Sequence, residues 1–193
     1  SGLDRFALFG ISQGAGFSVR YAAKHKEKVS CLILFGGFGR GEAMRNNPEF
    51  ETFWETARMM FRDGWGSTNP VYRKFFASGF VPDASKDIRD SFDELQRISC
   101  SPKNAIRLKE MNSQMDILEI ARQIDIPTLV LHIEGDQVVP IEEGQLLARA
   151  IPGAQFVKLP GNSHVALESE PCFNLFFDEV HAFITEHASR PKS

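Results

Sequence analysis

Three polar side chains, far apart in the sequence, are of the types that together activate a serine hydroxyl. Ser12 lies in the segment GISQG, Asp136 in EGDQVVP and His164 in GNSHV. A serine hydroxyl is a weak nucleophile until a histidine takes its proton, and that imidazole needs a carboxylate to fix its tautomer. These residue types indicate acyl transfer through an acyl-Ser12 intermediate, with His164 as base and then acid and Asp136 orienting it.

The segment Gly10–Gly14 has the pattern G-x-S-x-G, which a chain of this length contains by chance in about one case in fifteen. The pattern predicts a sharp strand-to-helix turn at Ser12, with glycines at positions 10 and 14 because the helix packs close to the strand. The amide of Gln13, at the start of that helix, is expected to donate to an oxyanion. A Gly-rich turn of this kind can instead hold a phosphate, but the segment lacks the phosphate-loop lysine and no acidic residue closes the following strand.

The elements around the candidate residues are short apolar runs that alternate with helical patterns. Arg5–Phe9 and Val29–Phe35 read as strands, and Ala15–Lys26 between them reads as a helix with a basic end. Strands that are apolar on both faces, joined by a helix, are typical of a buried parallel sheet. The remaining predicted strands and helices of this part are Pro127–Ile133, Glu142–Ala150, Gln155–Leu159 and Glu170–Glu186.

Each candidate residue follows one of these strands. Carboxyl ends of parallel strands meet at one edge of a sheet, so Ser12, Asp136 and His164 are expected to lie together. Their order along the chain is the one expected when the nucleophile lies in a G-x-S-x-G turn. Glu134 is a rival acid, but it lies closer to the strand and before the glycine, which favours Asp136.

The chain is predicted to have a strand-rich core and a helical insertion. Residues 1–37 and 126–188 form the core, residues 38–125 the insertion and residues 189–193 a loose tail. The insertion holds much of the aromatic content of the chain, which has 17 Phe against 2 Tyr and 2 Trp. Those rings either form the wall of an apolar pocket or fill the insertion's own core, and the sequence leaves both open.

Composition excludes several classes of function for this segment. The net charge is −3 with no basic block, so no direct nucleic-acid binding is predicted. No apolar run reaches about 18 residues, and the start does not resemble a signal peptide, so a cytoplasmic protein without a membrane span is expected. The 3 cysteines are widely spaced, without CxxC or a histidine pair at metal-ligand spacing. No cofactor and no metal are therefore predicted.

The segments FALFGISQGAG, PTLVLHIEGDQVVP and LPGNSHVALESEP resemble those of the α/β-hydrolase superfamily. The resemblance implies a mostly parallel sheet flanked by helices, with the insertion in the position of a helical cap. More narrowly, Gly64–Ser85 is similar to hydrolase domains fused to bacterial transcriptional regulators or nucleotide cyclases. Members of the superfamily carry further strands and an oxyanion loop before the serine, so this sequence is expected to be the carboxyl-terminal portion of a longer protein. The second oxyanion donor would then lie elsewhere, and the strand Arg5–Phe9 would have a long apolar edge exposed.

Two functions of different kinds follow from these observations. The first is a serine hydrolase for an ester, lactone or similar small carbonyl compound of apolar character, with Ser12 disfavouring a dehalogenase, whose nucleophile is usually Asp. The alternative is a ligand-sensing domain with weak or no catalysis, in a regulator whose DNA-binding domain lies elsewhere in the full-length protein. A pure protein-interaction module has less support. Four arginines are candidates to anchor a substrate carboxylate: Arg40, Arg45, Arg58 and Arg73.

Overall fold

The protein is described by a computed structural model that covers residues 4–188, apart from the side chains of residues 70, 73, 76 and 188. The predicted tail, residues 189–193, and the side chain of Arg73 therefore lie outside the description. Within residues 4–188 the strands are β1 (Phe6–Ile11), β2 (Val29–Phe35), β3 (Thr128–Ile133) and β4 (Gln155–Leu159). The α-helices are α1 (Gln13–Lys24), α2 (Phe50–Gly64), α3 (Pro70–Phe80), α4 (Lys86–Ser99), α5 (Pro102–Ser113), α6 (Leu118–Ala121), α7 (Ile141–Ala150) and α8 (Phe173–Ala188).

The four strands form one parallel sheet in the order β1-β2-β3-β4. Parallel neighbours need a crossover connection, and α1 supplies it between β1 and β2, as α7 does between β3 and β4. The predicted fold class, a parallel sheet flanked by helices, is confirmed.

Helices cover both faces of the central strands, which is why β2 and β3 are buried along their whole length. One face, with Phe35 and Leu131, packs against Phe176 and Phe183 of α8. Side chains alternate between the two faces of a strand, so the opposite face carries residues such as Val130 and His132 of β3. Helix α7 packs against this face. The alternation of side chains along β3 therefore decides which of its residues meet α8 and which meet α7.

The edge strand β1 differs from the sequence prediction, which made Arg5–Phe9 a buried strand. It is only half-buried over most of its length, and Phe9 and Ile11 are 44% and 40% exposed. Within the described chain β1 pairs with β2 alone, so one of its edges has no neighbouring strand. The apolar composition alone predicted too much burial, because burial also depends on what lies beside a strand, whereas the expected exposed apolar edge is present.

The chain divides into two compact units. One contains the sheet and runs up to Gly39 and again from Asp116 onward. The other, Arg40–Met115, contains α2, α3, α4 and α5. Residues 116–125, which the sequence analysis assigned to the insertion, include α6 and lie in the sheet-containing unit.

The helical unit has an aromatic core of its own. Phe50, Trp54 and Ala57 on α2 are buried together, and the rings of Phe50 and Trp54 stack with centroids 6.4 Å apart. Phe53, between them in sequence, is 54% exposed. Part of the aromatic content of the insertion therefore fills its own core, one of the two roles that the sequence left open. No helix among residues 4–188 is long and apolar enough to cross a membrane.

Candidate functional site

Ser12 lies at the junction between β1 and α1 in a backbone conformation that few residues adopt. Its φ of 52° and ψ of −124° are outside the regions favoured by side-chain-bearing residues, at a cost of about 1–3 kcal/mol. Its amide donates to the Phe35 carbonyl oxygen at 2.8 Å, and its own carbonyl accepts from the Ala15 amide at 3.0 Å. These bonds hold the predicted sharp turn and leave Ser12 half-buried at the start of the helix.

The two glycines that flank Ser12 have different surroundings. A β-carbon added at Gly10 would lie 2.5 Å from Ser18 Oγ and 2.8 Å from the Gly14 carbonyl oxygen, so the predicted close packing is present there. A β-carbon added at Gly14 would have no described atom within 4 Å, apart from its chain neighbours and the backbone of its own helix. The interpretation that both glycines relieve a clash is therefore wrong for Gly14. Gln13 is the first residue of α1, where the helix dipole favours negative charge.

Asp136 lies in the loop after β3, with a buried carboxylate held by the backbone of its own loop. Its Oδ1 accepts hydrogen bonds from the amides of Val138 at 2.8 Å and Val139 at 3.1 Å. The rival acid, Glu134, instead forms an exposed ion pair in which Lys158 Nζ is 2.8 Å from Glu134 Oε1. The two carboxylates are thus in different environments, one buried in the site and one at the surface.

His164 lies directly against Asp136. Its Nδ1 is 2.7 Å from Asp136 Oδ2, and both side chains are almost completely buried. An ionised carboxylate only accepts hydrogen bonds, so Nδ1–H is the donor and Nε2 carries the lone pair when the ring is neutral. In this tautomer the nitrogen that acts as general base, Nε2, lies on the side of the ring away from the carboxylate.

The end of β2 connects the histidine to the serine. Gly36 has φ of +57°, and a β-carbon there would lie 3.2 Å from His164 Cε1, so the imidazole packs against this glycine. The preceding residue, Phe35, accepts the Ser12 amide hydrogen bond. Ser12, Asp136 and His164 thus follow the carboxyl ends of β1, β3 and β4 of one parallel sheet, and the end of β2 contacts both the serine and the histidine.

A second buried carboxylate fastens the loop that carries His164. The hydroxyl of Ser163 donates to Glu170 Oε1, and both residues are buried. Gly161 has φ of +132°, and a β-carbon there would lie 2.5 Å from Glu170 Oε2. The Gly135 amide donates to the Gly161 carbonyl at 3.0 Å and so joins the acid loop to the histidine loop. Sequence reasoning missed Ser163 and Glu170, which no motif distinguishes from surface residues.

Sequence reasoning also gave His132 no role. It lies on β3, completely buried, with Nε2 2.9 Å from the Val139 carbonyl oxygen and 3.5 Å from Asp136 Oδ2. Burial lowers the pKa of His132 from its ordinary value, and it outweighs the Val139 hydrogen bond and the charge of Asp136, which raise it. The signal that could have found it is a single polar residue in the otherwise apolar strand TLVLHI, four positions before the acid.

Within residues 4–188, no group of three or more His, Cys, Asp or Glu side chains is arranged to hold a metal ion. The polar groups that the described site brings together are a serine, a histidine–carboxylate pair and backbone amides.

This chain resembles known proteins in its sequence and in its fold. Pyrrolizixenacetamide deacetylase of Xenorhabdus hominickii is 28% identical over 158 residues, which is 80% of this chain and 57% of that protein. The chain thus spans less than two thirds of the length of that relative. The structure of MGS-M2, an alpha/beta hydrolase enzyme from a Medee basin deep-sea metagenome library, superposes with a TM-score of 0.75 at 19% identity, covering 100% of this chain and 68% of that one.

An esterase from Rhodococcus sp. ECU1013 has the same fold, with a TM-score of 0.69 at 23% identity over 96% of this chain and 67% of that structure. At such low identities these structures bear on the fold alone. The family model described as alpha/beta hydrolase fold matches residues 1–171, a range that includes the serine turn, the acid loop and the histidine loop. With this match over most of its length, the chain belongs to the α/β-hydrolase fold family.

Proposed function

We propose that this chain carries the catalytic triad of a serine hydrolase, with Ser12 as nucleophile, His164 as general base and acid, and Asp136 as the orienting carboxylate. The substrate is an ester, a lactone or a similar small carbonyl compound of apolar character. The observation that carries the proposal is the buried 2.7 Å contact between His164 Nδ1 and Asp136 Oδ2, with the His164 ring packed against Gly36, the residue after the one that accepts the Ser12 amide hydrogen bond. A buried histidine–carboxylate pair beside a strained serine has the parts that nucleophilic catalysis needs.

The reaction begins when Ser12 Oγ attacks the substrate carbonyl carbon and His164 Nε2 takes the hydroxyl proton. The negative charge of Asp136 stabilises the imidazolium that forms, and the Gln13 amide donates to the tetrahedral oxyanion. The oxyanion collapses, the carbon–oxygen bond to the leaving group breaks, and His164 returns its proton to the departing alcohol. Water then attacks the acyl-Ser12 ester with His164 again as base, and the acid product leaves with Ser12 regenerated.

A relative in sequence supports the acyl-transfer class of reaction. A deacetylase shares 28% identity with this chain over 158 residues. Its name denotes removal of an acetyl group, which is a chemistry that an activated serine performs. The proposal assigns one oxyanion donor, Gln13, and a second donor would strengthen the stabilisation of the tetrahedral intermediate.

The proposed nucleophile is tested by labelling the full-length protein with a fluorophosphonate, which reacts with activated serine hydroxyls. We expect a single adduct on the peptide that contains Ser12, identified by mass spectrometry, and no adduct at this position in Ser12→Ala. A correctly folded protein that is not labelled at Ser12 would contradict the catalytic reading and favour a binding domain in which the triad is inactive.

The choice of acid is tested by comparing Asp136→Asn with Glu134→Gln. The first variant keeps the shape of the side chain but presents an amide to His164, which favours the wrong tautomer, and we expect kcat to fall by about 10⁴. The second removes a surface ion pair of about 0–1 kcal/mol, so its kcat should stay within about twofold of the unaltered protein. Equal losses in the two variants would show that the buried carboxylate has no special role.

A further inference from the structure

A second histidine, His132, lies near the same carboxylate oxygen of Asp136 as the proposed catalytic histidine. Its ring contacts the acid loop, with Nε2 2.9 Å from the Val139 carbonyl oxygen and 3.5 Å from Asp136 Oδ2. The Val139 amide in turn donates to Asp136 Oδ1 at 3.1 Å. One residue of the loop, Val139, is therefore held on its carbonyl side by His132 and on its amide side by the carboxylate.

The partners of His132 determine its tautomer. A carbonyl oxygen only accepts hydrogen bonds, so Nε2 must carry the proton that it donates to Val139. The other ring nitrogen, Nδ1, is buried and has no hydrogen-bond partner among the described residues. It faces Gly144 of α7, where a β-carbon would lie only 2.2 Å away. A second proton on Nδ1 would have no acceptor, so the ring is neutral with its hydrogen on Nε2.

We propose that His132 is a positioning residue for Asp136: its Nε2–H holds the Val139 carbonyl and directs a polar edge at Asp136 Oδ2, so that the carboxylate keeps its orientation towards His164. The distance to Oδ2 is too long for a strong hydrogen bond, so the main effect passes through the loop backbone. The proposal rests on the proposed function for its catalytic consequence, although the geometry that it describes does not depend on hydrolysis.

The neutral state of His132 matters to the charge of the site. A permanent cation beside Asp136 would compete with His164 for the carboxylate and would weaken its stabilisation of the imidazolium. The charged or titratable groups that act on His132 are Asp136 and Glu142, which favour its protonated form, and His164, which disfavours it. Burial dominates and lowers the pKa of His132. The neutral ring thus supports the acid loop without placing a positive charge beside the carboxylate.

A measurement on the unaltered full-length protein tests the tautomer. Long-range nitrogen–proton NMR spectra distinguish the two ring nitrogens of each histidine, and we expect His132 to carry its proton on Nε2 at neutral pH. The same spectra should show a low-field proton on His164 Nδ1, bonded to Asp136. A His132 ring that is protonated on Nδ1 alone, or is doubly protonated at neutral pH, would overturn the proposal.

Three variants then test the positioning role. His132→Leu removes the donor and fills the space, whereas His132→Gln retains an amide donor in reach of the Val139 carbonyl. Val130→Ala is the control, because Val130 is fully buried two residues earlier on the same face of β3 and its apolar side chain cannot form a hydrogen bond with the acid loop. All three are compared for the low-field His164 resonance, for kcat and KM, and for the pH profile of kcat/KM.

We expect His132→Leu to shift or broaden the His164 resonance and to lower kcat by about 10- to 100-fold with little change in KM, since a misplacement of about 1 Å can cost 10²-fold. The Gln variant should recover most of the resonance and of kcat, and Val130→Ala should lose stability while keeping both. A Leu variant with unchanged resonance and kcat, or a control that loses as much, overturns the proposal. If the Leu variant does not fold, the tautomer of the unaltered protein and the Gln variant decide.

The outcomes separate this proposal from the proposed function. If hydrolysis is unaffected in His132→Leu, the positioning role is refuted and the proposed triad still stands. If the unaltered protein hydrolyses nothing but its His164 resonance depends on residue 132, the proposed function is refuted and the positioning role still stands.

Discussion

The two glycines around Ser12 provide a quantitative test of the packing at the serine turn. Replacing Gly10 by alanine would put a β-carbon 2.5 Å from Ser18 Oγ, 2.8 Å from the Gly14 carbonyl oxygen and 2.9 Å from Ser18 Cβ. The Ser18 hydroxyl can rotate away, but the carbonyl belongs to the first turn of α1 and moves only if the helix start moves. Replacing Gly14 by alanine meets no described atom within 4 Å, apart from its chain neighbours and its own helix backbone.

The two substitutions are expected to change the free energy of unfolding differently. Overpacking of a tight site costs about 1–3 kcal/mol, and the backbone contact at Gly10 places it in the upper half of that range. Alanine is better than glycine inside a strand by about 0.5–1 kcal/mol, which leaves a net loss of about 2 kcal/mol for Gly10→Ala. In Gly14→Ala there is no clash to offset the higher helix propensity of alanine, so stability should be unchanged or rise by up to about 1 kcal/mol.

Thermal denaturation measures the difference. For a protein of this size about 1 kcal/mol shifts Tm by about 2–4 °C, so Gly10→Ala should lower Tm by about 4–8 °C while Gly14→Ala should not lower it. Urea denaturation gives the same comparison through the midpoint at constant slope. Equal destabilisation in both variants, or a larger loss at Gly14, would refute the reasoning that only the strand-side glycine relieves a clash.

Three further predictions concern groups outside the serine turn. Ser163→Ala removes the donor to a buried carboxylate and should lower the free energy of unfolding by about 1–3 kcal/mol in urea titrations, and no loss would show that the hydroxyl does not hold the histidine loop. Burial lowers the pKa of His132 in the folded protein, so the unfolded state binds this proton at a higher pH than the folded state does. As pH falls below 6.5, the free energy of unfolding should therefore decline by at most about 1.4 kcal/mol per pH unit from this residue. A His132→Gln variant with an unchanged slope of stability against pH would contradict this assignment. Burial raises the pKa of the Cys31 and Cys172 thiols, so iodoacetamide should modify Cys100, which is partly exposed, well before either, and rapid reaction of all three would contradict their burial.

Local patterns were sufficient for most of the elements that carry the site. The strand Val29–Phe35 and the strand Gln155–Leu159 have the predicted bounds, because a glycine follows the first and a proline the second, and both residues mark the end of a strand. The edge strand was predicted with the right type but the wrong burial, since its own residues do not reveal which neighbours it has. The role of the helical insertion as a cap stays a prediction.

The sequence by itself determined the residue types of the candidate triad, their order and the elements that they follow, because these depend on short-range pattern and on the rules for parallel sheets. The sequence also favoured Asp136 over Glu134 from its position after the glycine, but only the tertiary structure shows the contacts, with Asp136 buried against His164 and Glu134 paired with Lys158 at the surface. Pairing of Ile11 with Phe35 and of Ile133 with Leu159 sets which loop residues meet. The role proposed for His132 likewise depends on the tertiary structure. The sequence alone does not show that Val139 and Asp136 lie against its ring.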